Sequence, residues 1–387
     1  MIPSGYKSQK VYSVLPTNGD GDFTFDRNNA GSRVNKNGLI EQVSTDIPRL
    51  DYSDGSCPSL LLEPASTNLA RYSEDFSQWT KSEINGTSTI ISSSQLSPSG
   101  TNNAYRVNCV LDDNTLNNEA TFRTFFLTGL SVPNRTVSFY LRSDTSSEVM
   151  VRRPYNDGTY ITFQLTNNWE RYSIPLNNVV ATTCLIEIGL RAITGFGDTN
   201  LNATFDVWGA QLEEKPYATS YIPTTTGSAS RGADSSSKDG LSSYISSTAG
   251  VLYAELKALS SESTNQRWIY IGDGSIDNFV AIVYMPTSNE LVAYGLNGGN
   301  SSLYISTTNY NLTDDLKVAI KWKENDSQLY INGSLIDTDT DTQDFNFTFS
   351  ELRLEGSAAN KFYGKVKDLR VYNTALTDLE LQELTTI

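Results

Sequence analysis

The chain has 387 residues, enough for two or three domains with cores of their own, and only 19% of them are charged. Ser, Thr and Asn dominate the polar remainder beside 21 tyrosines, which suits exposed β-structure, where Thr and Tyr fit strands and Asn, Gly and Ser fit turns. A formal net charge of −15 opposes binding to nucleic acid or anionic lipid. The complete absence of histidine removes Ser-His-Asp, Cys-His and His-metal chemistry together.

The three cysteines, Cys57, Cys109 and Cys184, are odd in number and scattered, so neither a disulfide framework nor a CxxC metal knuckle is expected. The N-terminal residues 1–16 lack the apolar core of a signal peptide. No run approaches the ~18 apolar residues of a membrane span, so no membrane insertion is expected.

In chain order, residues 1–56 are punctuated by turn signals at Pro16, Asn18-Gly19, Asp20-Gly21, Asn37-Gly38 and Asp54-Gly55. The short alternating pieces between them, such as Phe23-Thr24-Phe25, are too sparse for an independent core and are expected to pack on a neighbour. Residues 57–235 carry strand-like runs at regular spacing, from Leu60-Leu61-Leu62 to residues 204–208, with no amphipathic helix between them. That pattern predicts an antiparallel sandwich or barrel. Leu60–Leu62 and residues 208–213 are expected side by side, covering its edges.

Residues 236–248, small and polar, read as a linker. A second series of strands fills residues 249–387. Asn332-Gly333 is a hairpin turn whose two central residues must take positive φ. Thr377, with Glu380 three residues on, forms the capping box of a short C-terminal helix. The fold class expected is all-β, two antiparallel β-sandwiches in tandem after a short N-terminal segment.

Several candidate sites can be weighed. Glu351 and Glu355 flank Arg353 at alternate strand positions, the spacing at which some glycoside hydrolases on sandwich folds place their carboxylates. Arg353 stands where the central acid would be, so a charge-paired, solvated strand face is expected. Asp337, Asp339, Asp341 and Asp344 crowd a Thr-rich loop and offer the oxygen ligands calcium prefers, although the glycine-bearing loop of a calcium motif is missing. Aromatic residues beside amides and acids are the credible glycan-binding chemistry, because sugar rings stack their apolar faces on Trp and Tyr. The candidates are Tyr155, Asn156, Asp157 and Tyr160 on one turn, and Trp268, Tyr270, Tyr284 and Tyr294 along successive strands. Trp169, Trp208 and Trp322 are expected to serve packing.

Three resemblances add to this reading. GDGDFTFDRNNAGSRVNKNGLIEQV at residues 19–43, IPRLDY at 47–52, SLLLEPASTNLARYSEDFSQWT at 59–80 and YATSYIPTTTGSASRGAD at 217–234 resemble segments of tail-fibre-like and other virion proteins of bacteriophages. Asn68-Leu69, Ser73-Glu74-Asp75-Phe76, Trp79, NWERY at 168–172 and FDVWGAQLE at 205–213 resemble jelly-roll carbohydrate-binding modules. Leu329-Tyr330-Ile331-Asn332-Gly333 and the ending from Phe362 to Leu384 resemble the laminin-G and concanavalin A-like lectin fold.

These resemblances imply a non-enzymatic virion-surface protein. Residues 1–56 would attach it to other virion proteins, 57–235 would be the carbohydrate-module-like jelly roll, and 249–387 the lectin-like domain. The implied partner is host surface polysaccharide, held by many copies of a homo-oligomer. A structural calcium at Glu74 and Asp206, or at Asp337, Asp339 and Asp341, is the candidate cofactor. The alternatives are a particle spacer that binds no sugar and a polysaccharide depolymerase.

Overall fold

Apolar and polar residues alternate along most of the predicted runs, and a computed structural model shows these runs as antiparallel strands. The fold is all-β, with one C-terminal α-helix among the described residues. The structure describes residues 1–14, 18–124, 127–128, 133–145, 148–152, 160–176, 183–192, 201–260, 265–356 and 360–387. No helix among them is long and apolar enough to cross a membrane. The chain divides into two compact units, each interrupted in sequence. One comprises residues 1–38, 42–64 and 232–387, the other residues 39–41 and 65–231.

The first unit is a sandwich of a nine-stranded and a seven-stranded sheet, counted over the described residues. The larger sheet runs Pro3–Lys7, Lys10–Ser13, Phe23–Asp26, Ser235–Asp239, Glu351–Arg353, Arg267–Gly272, Phe279–Met285, Glu290–Asn297 and Asn300–Thr307. The smaller runs Ser334–Asp339, Ser327–Ile331, Leu316–Lys323, Ala249–Ala258, Gly364–Tyr372, Ser59–Leu62 and Leu50–Asp51. One apolar core lies in this unit, with Phe23, Phe25, Leu60, Leu62, Leu252, Ile269, Ile282, Val318, Trp322, Leu352 and Val366 all buried. Asn332 and Gly333 take φ of 50° and 79° and close the hairpin between Ile331 and Ser334. Thr377 and Glu380 cap the helix Asp378–Thr385 reciprocally, and Leu381 anchors it.

The structure differs from the sequence-based boundaries at two places. Ser59–Leu62 pairs with Gly364–Val366 and with Leu50–Asp51 in the first unit, not with residues 208–213. All four of its residues are buried, as expected of a strand covered on both faces rather than of an edge. Residues 236–248 are not a linker: Ser235–Asp239 is an inner strand, paired with Phe23–Asp26 and Glu351–Arg353, and Ile245 joins the core. Ladder hydrogen bonds use only the backbone, so a serine run can fill a strand when its neighbours supply the apolar side chains. Val11, Phe23, Phe25 and Leu50 of residues 1–56 lie in the core of this unit, the packing on a neighbour that their sparse apolar content requires.

A buried ionic cluster joins the segments of the first unit. Arg49, Arg27, Glu63 and Asp234 are all inaccessible to solvent or nearly so. Arg49 Nη1 donates to Glu63 Oε2 and its Nη2 to Asp234 Oδ2, while Arg27 Nη1 donates to Asp234 Oδ1 at 3.2 Å. Backbone groups tie the two acids together as well, Asp234 N donating to Glu63 O at 2.9 Å and Glu63 N to Asp234 Oδ2 at 2.7 Å. Burial alone would lower the pKa of Arg49, but the two carboxylates outweigh it and hold the guanidinium charge firmly. The cluster sits where the chain leaves this unit after Pro64 and re-enters at Gly232.

The second unit holds two five-stranded sheets among the described residues. One runs Gly86–Leu96, Asn102–Leu111, Asn202–Glu213, Arg135–Arg142 and Glu170–Leu176; the other runs Tyr160–Gln164, Glu148–Arg152, Glu187–Arg191, Glu119–Arg123 and Thr80–Ile84. Phe76, Trp79, Val107, Phe122, Phe139, Ile188 and Phe205 are among its core residues. Asn68 is buried and fully used, donating to Ala210 O and Ile222 O and accepting from Ala70 N and Leu212 N. Trp208 is buried against Tyr221 and Tyr140, with ring centroids at 4.5 and 5.6 Å.

Candidate functional site

Strand alternation in the nine-stranded sheet sends two sets of side chains to opposite faces. Ile269, Ile271, Val280, Ile282, Leu291, Ala293, Leu303 and Ile305 enter the core. Trp268, Tyr270, Phe279, Ala281, Val283, Val292, Tyr294 and Leu296 form a second apolar cluster on the other face. Paired residues of neighbouring strands share a face. One row therefore crosses the sheet through Thr24, Ser237, Arg353, Tyr270, Ala281, Tyr294 and Tyr304. The row is polar at one end and aromatic at the other.

The aromatic end is a ladder. Trp268 and Phe279 have ring centroids 5.2 Å apart at 65°, Phe279 and Tyr294 5.5 Å at 71°, and Tyr294 and Tyr304 6.0 Å at 81°. Edge-to-face contacts of this kind fix the rings at defined angles and stabilise each pair by about 0.5–1.5 kcal/mol beyond the area they bury. Phe279 lies deepest, Trp268 and Tyr294 are half-buried, and Tyr304 is 49% exposed at the outer strand.

Of the aromatics expected to meet a glycan, Trp268 and Tyr294 are brought together here. Tyr270 shares the face but is buried, its hydroxyl donating to Ser275 O at 2.8 Å, so it supports the Asp273–Asn278 turn instead of presenting its ring. Tyr284 points the other way, into the core, with its hydroxyl donating to Asn289 Oδ1 at 2.9 Å. It shares the parity of Val280 and Ile282, and one residue of offset along a strand reverses the face. Tyr304 was missed by the sequence reading; its alternation with Leu303 and Ile305 is the signal that could have found it. Tyr155, Asn156 and Asp157 lie outside the described residues, and Tyr160 opens the strand Tyr160–Gln164 opposite Arg152.

At the polar end, Arg353 donates to Glu351 Oε2 at 2.5 Å and Lys361 pairs with Glu355 at 3.1 Å. The charge pairing expected for this strand is present, but Glu351 is buried instead of solvated. Its burial raises the carboxyl pKa, the neighbouring acids Asp239 and Asp273 add to that, and Arg353 opposes it.

Among the candidate calcium ligands, the carboxylates of Glu74, Asp206, Asp337 and Asp339 have other partners. Asp206 is fully buried, taking Arg106 Nε on Oδ1 at 2.7 Å and Arg142 Nε on Oδ2 at 2.8 Å, so its charge is met by guanidinium groups. Glu74 accepts from Asn103 at 2.8 Å and from Tyr221 at 3.0 Å, and its carboxyl is raised by burial. Asp337 accepts from Thr338 N, while Asp339 accepts from Asp341 N and Tyr304 N. These carboxylates cap backbone donors, and among the described residues no three His, Cys, Asp or Glu side chains converge as a metal site. In the second unit Trp169 is half-buried, with Arg142 stacked 5.0 Å over its ring and its Nε1 donating to Leu96 O.

Residues 252–382 match the family model described as the concanavalin A-like lectin/glucanases superfamily. No curated protein matches the chain. Among solved structures, it is similar to the CBM40 of the Ruminococcus gnavus IT-sialidase, at 20% identity over 37% of this chain and 85% of that one, with a TM-score of 0.31. It is also similar to domain 4 of the extracellular arabinanase AbnA of Geobacillus stearothermophilus, in complex with arabinotriose, at 18% identity over 44% of this chain and 84% of that one, TM-score 0.32. A third is the SAP-like pentraxin of Limulus polyphemus, at 15% identity over 36% and 71%, TM-score 0.30.

Proposed function

We propose that the chain is a glycan-binding, non-catalytic protein of a bacteriophage particle surface, and that it holds host polysaccharide on the outer face of its nine-stranded sheet. The observation that carries this reading is the aromatic ladder from Trp268 to Tyr304, ending in an exposed ring and flanked by Arg353 and Ser237. Sugar rings stack on aromatic side chains, and neighbouring polar groups take their hydroxyls. The lectin-like family match covers the strands that build the ladder and supports the same ligand class.

The virion setting is supported by the sequence resemblance at residues 19–43, 59–80 and 217–234. A shallow face of this kind binds each copy weakly, so a homo-oligomer anchored to other virion proteins would supply avidity. The non-catalytic reading is supported by the absence of histidine and by the engagement of Glu351 with Arg353.

Glycan-array binding and incubation with capsular polysaccharide test the proposal. Retention without chain shortening is expected, and Tyr304→Ala should weaken retention about 2–12-fold, the worth of one aromatic contact of roughly 0.5–1.5 kcal/mol. Chain shortening would establish a depolymerase instead. Absence of any bound glycan would favour a particle spacer.

A further inference from the structure

The geometry points to a second, more selective element apart from the ladder: a pocket of about 520 Å³ that takes one neutral sugar residue and rejects acidic ones. This inference rests on the glycan-binding reading above and assigns the sugar class to a particular place. The pocket is lined by Asn278, Asn297, Asn300, Gln343, Asn346 and Phe347, among others, and none of its lining residues is charged. Its volume lies within the range of about 300–1,000 Å³ typical of small-ligand sites.

The amides are held in place by backbone groups and, for Asn278, by the Asp273 carboxylate. Asn278 donates to Asp273 Oδ2 at 2.8 Å and accepts from Gly298 N at 2.7 Å. Asn297 donates to Asp344 O at 3.0 Å and accepts from Asn346 N at 3.2 Å. Asn300 donates to Gly298 O at 3.3 Å and Gln343 to Asp341 O at 3.2 Å. An amide nitrogen carries two hydrogens, so each of these four side chains keeps one N–H for a ligand after its orienting bond is made. Donors fixed in this way cost little ordering entropy when a hydroxyl arrives. Phe347 supplies an apolar wall and is itself set edge-on against Phe345 at 5.6 Å and Phe349 at 4.8 Å. Amide donors and acceptors around one aromatic ring suit a polyhydroxylated ring with an apolar face.

Charge selects among such rings. The lining offers no Lys or Arg to pair with a carboxylate, while Asp277, Asp341 and Asp344 adjoin it in the chain. A uronic or sialic acid would lose its hydration without gaining a counter-ion. Asn278 immediately precedes Phe279 and Asn297 follows Leu296, so by strand alternation both amides stand on the opposite face from the aromatic rings, and the pocket is a separate site at the end of the same two strands.

The test is saturation-transfer NMR on the full chain with glucose, galactose, N-acetylglucosamine, glucuronic acid and sialic acid, beside glycan-array binding. The expected result is transfer to at least one neutral sugar and none to the acids, with Asn300→Ala plus Asn346→Ala lowering that affinity at least tenfold while leaving the melting temperature unchanged. Gln343→Lys should admit glucuronic acid. If arrays show binding that Tyr304→Ala weakens but the double pocket variant does not, the pocket assignment falls and the glycan-binding reading stands. If the acids bind as well as the neutral sugars, the selectivity is wrong. If no sugar binds in either format, both readings fall.

Discussion

Replacing Arg49 by Met tests whether the buried ionic cluster holds the first unit together. Arg49 is fully buried and bridges Glu63 Oε2 and Asp234 Oδ2, with a further bond from Nη1 to Ser32 O at 3.1 Å. In the Arg49→Met variant Asp234 keeps Arg27, 3.2 Å away, but Glu63 loses the Arg49 guanidinium while remaining 2% exposed. Removing one partner of a buried ion pair costs about 3–5 kcal/mol, a large fraction of the 5–15 kcal/mol that separates folded from unfolded domains. For a unit of this size each kcal/mol moves Tm by roughly 2–4 °C, so a fall of about 6–20 °C is expected. Differential scanning calorimetry should show it in the transition of the unit that contains Trp322. Adding Glu63→Gln removes the buried charge that faced Arg49, so the double variant should be more stable than Arg49→Met alone, a non-additivity that plain loss of packing would not produce. A single variant within about 0.5 kcal/mol of the parent, or a double variant less stable than the single, would refute the reasoning.

Gly250→Ala should destabilise the first unit by about 1–3 kcal/mol in chemical unfolding. A Cβ there would lie 2.1 Å from the buried Trp322 ring and 2.6 Å from Tyr372 O, and neither can move aside; an unchanged midpoint would contradict this. Cys109 is buried, and that burial pushes its thiol up to about 12, so mass-spectrometric mapping after a thiol reagent at pH 8 should find Cys57 labelled and Cys109 labelled only in denaturant. Glu351 gives a pH signature. Because burial raises its folded pKa above the ordinary 4.5, the stability it lends is complete below that value and is lost as pH rises through the raised one. Glu351→Gln lacks this loss, so the stability of the variant relative to the parent should grow from acid towards neutral pH, and a gap that stays constant or shrinks would contradict it.

Strand content, the Asn332-Gly333 turn and the Thr377–Glu380 cap are legible in the sequence because each rests on a local rule: alternation, positive φ or reciprocal capping. The partition of strands between the two units is not. Leu60-Leu61-Leu62 looks the same whether it joins residues 208–213 or 364–366; what decides is Leu60 and Leu62 meeting the core of the first unit, together with the ionic link from Glu63 to Arg49. Ser235–Asp239 is hidden for the opposite reason, since a serine run carries no apolar signal and its place depends on Phe25 and Leu352 next to it. Asn68 and Gln211, which carry the carbohydrate-module resemblance, are buried and bonded internally, and Trp208 is buried against Tyr221 and Tyr140, so that resemblance reports on architecture.

The same distinction applies to the site. Sequence motifs mark positions where a side chain has an unusual internal duty, and such positions are buried: Tyr270 serves a turn and Tyr284 the core. A shallow recognition surface needs no such duty from its outermost residues. Tyr304 sits on an ordinary alternating strand, Asn300 opens that strand and Asn346 lies in an irregular polar stretch, so nothing local separates them from solvated neighbours. They gain meaning only through strand pairing, which sets Tyr304 beside Tyr294 and carries that strand into the Asn297–Asn300 turn. Register therefore determines the binding surface, and a one-residue slip between Glu290–Asn297 and Asn300–Thr307 would turn Tyr304 inward and separate it from the ladder while leaving the composition of the sheet unchanged.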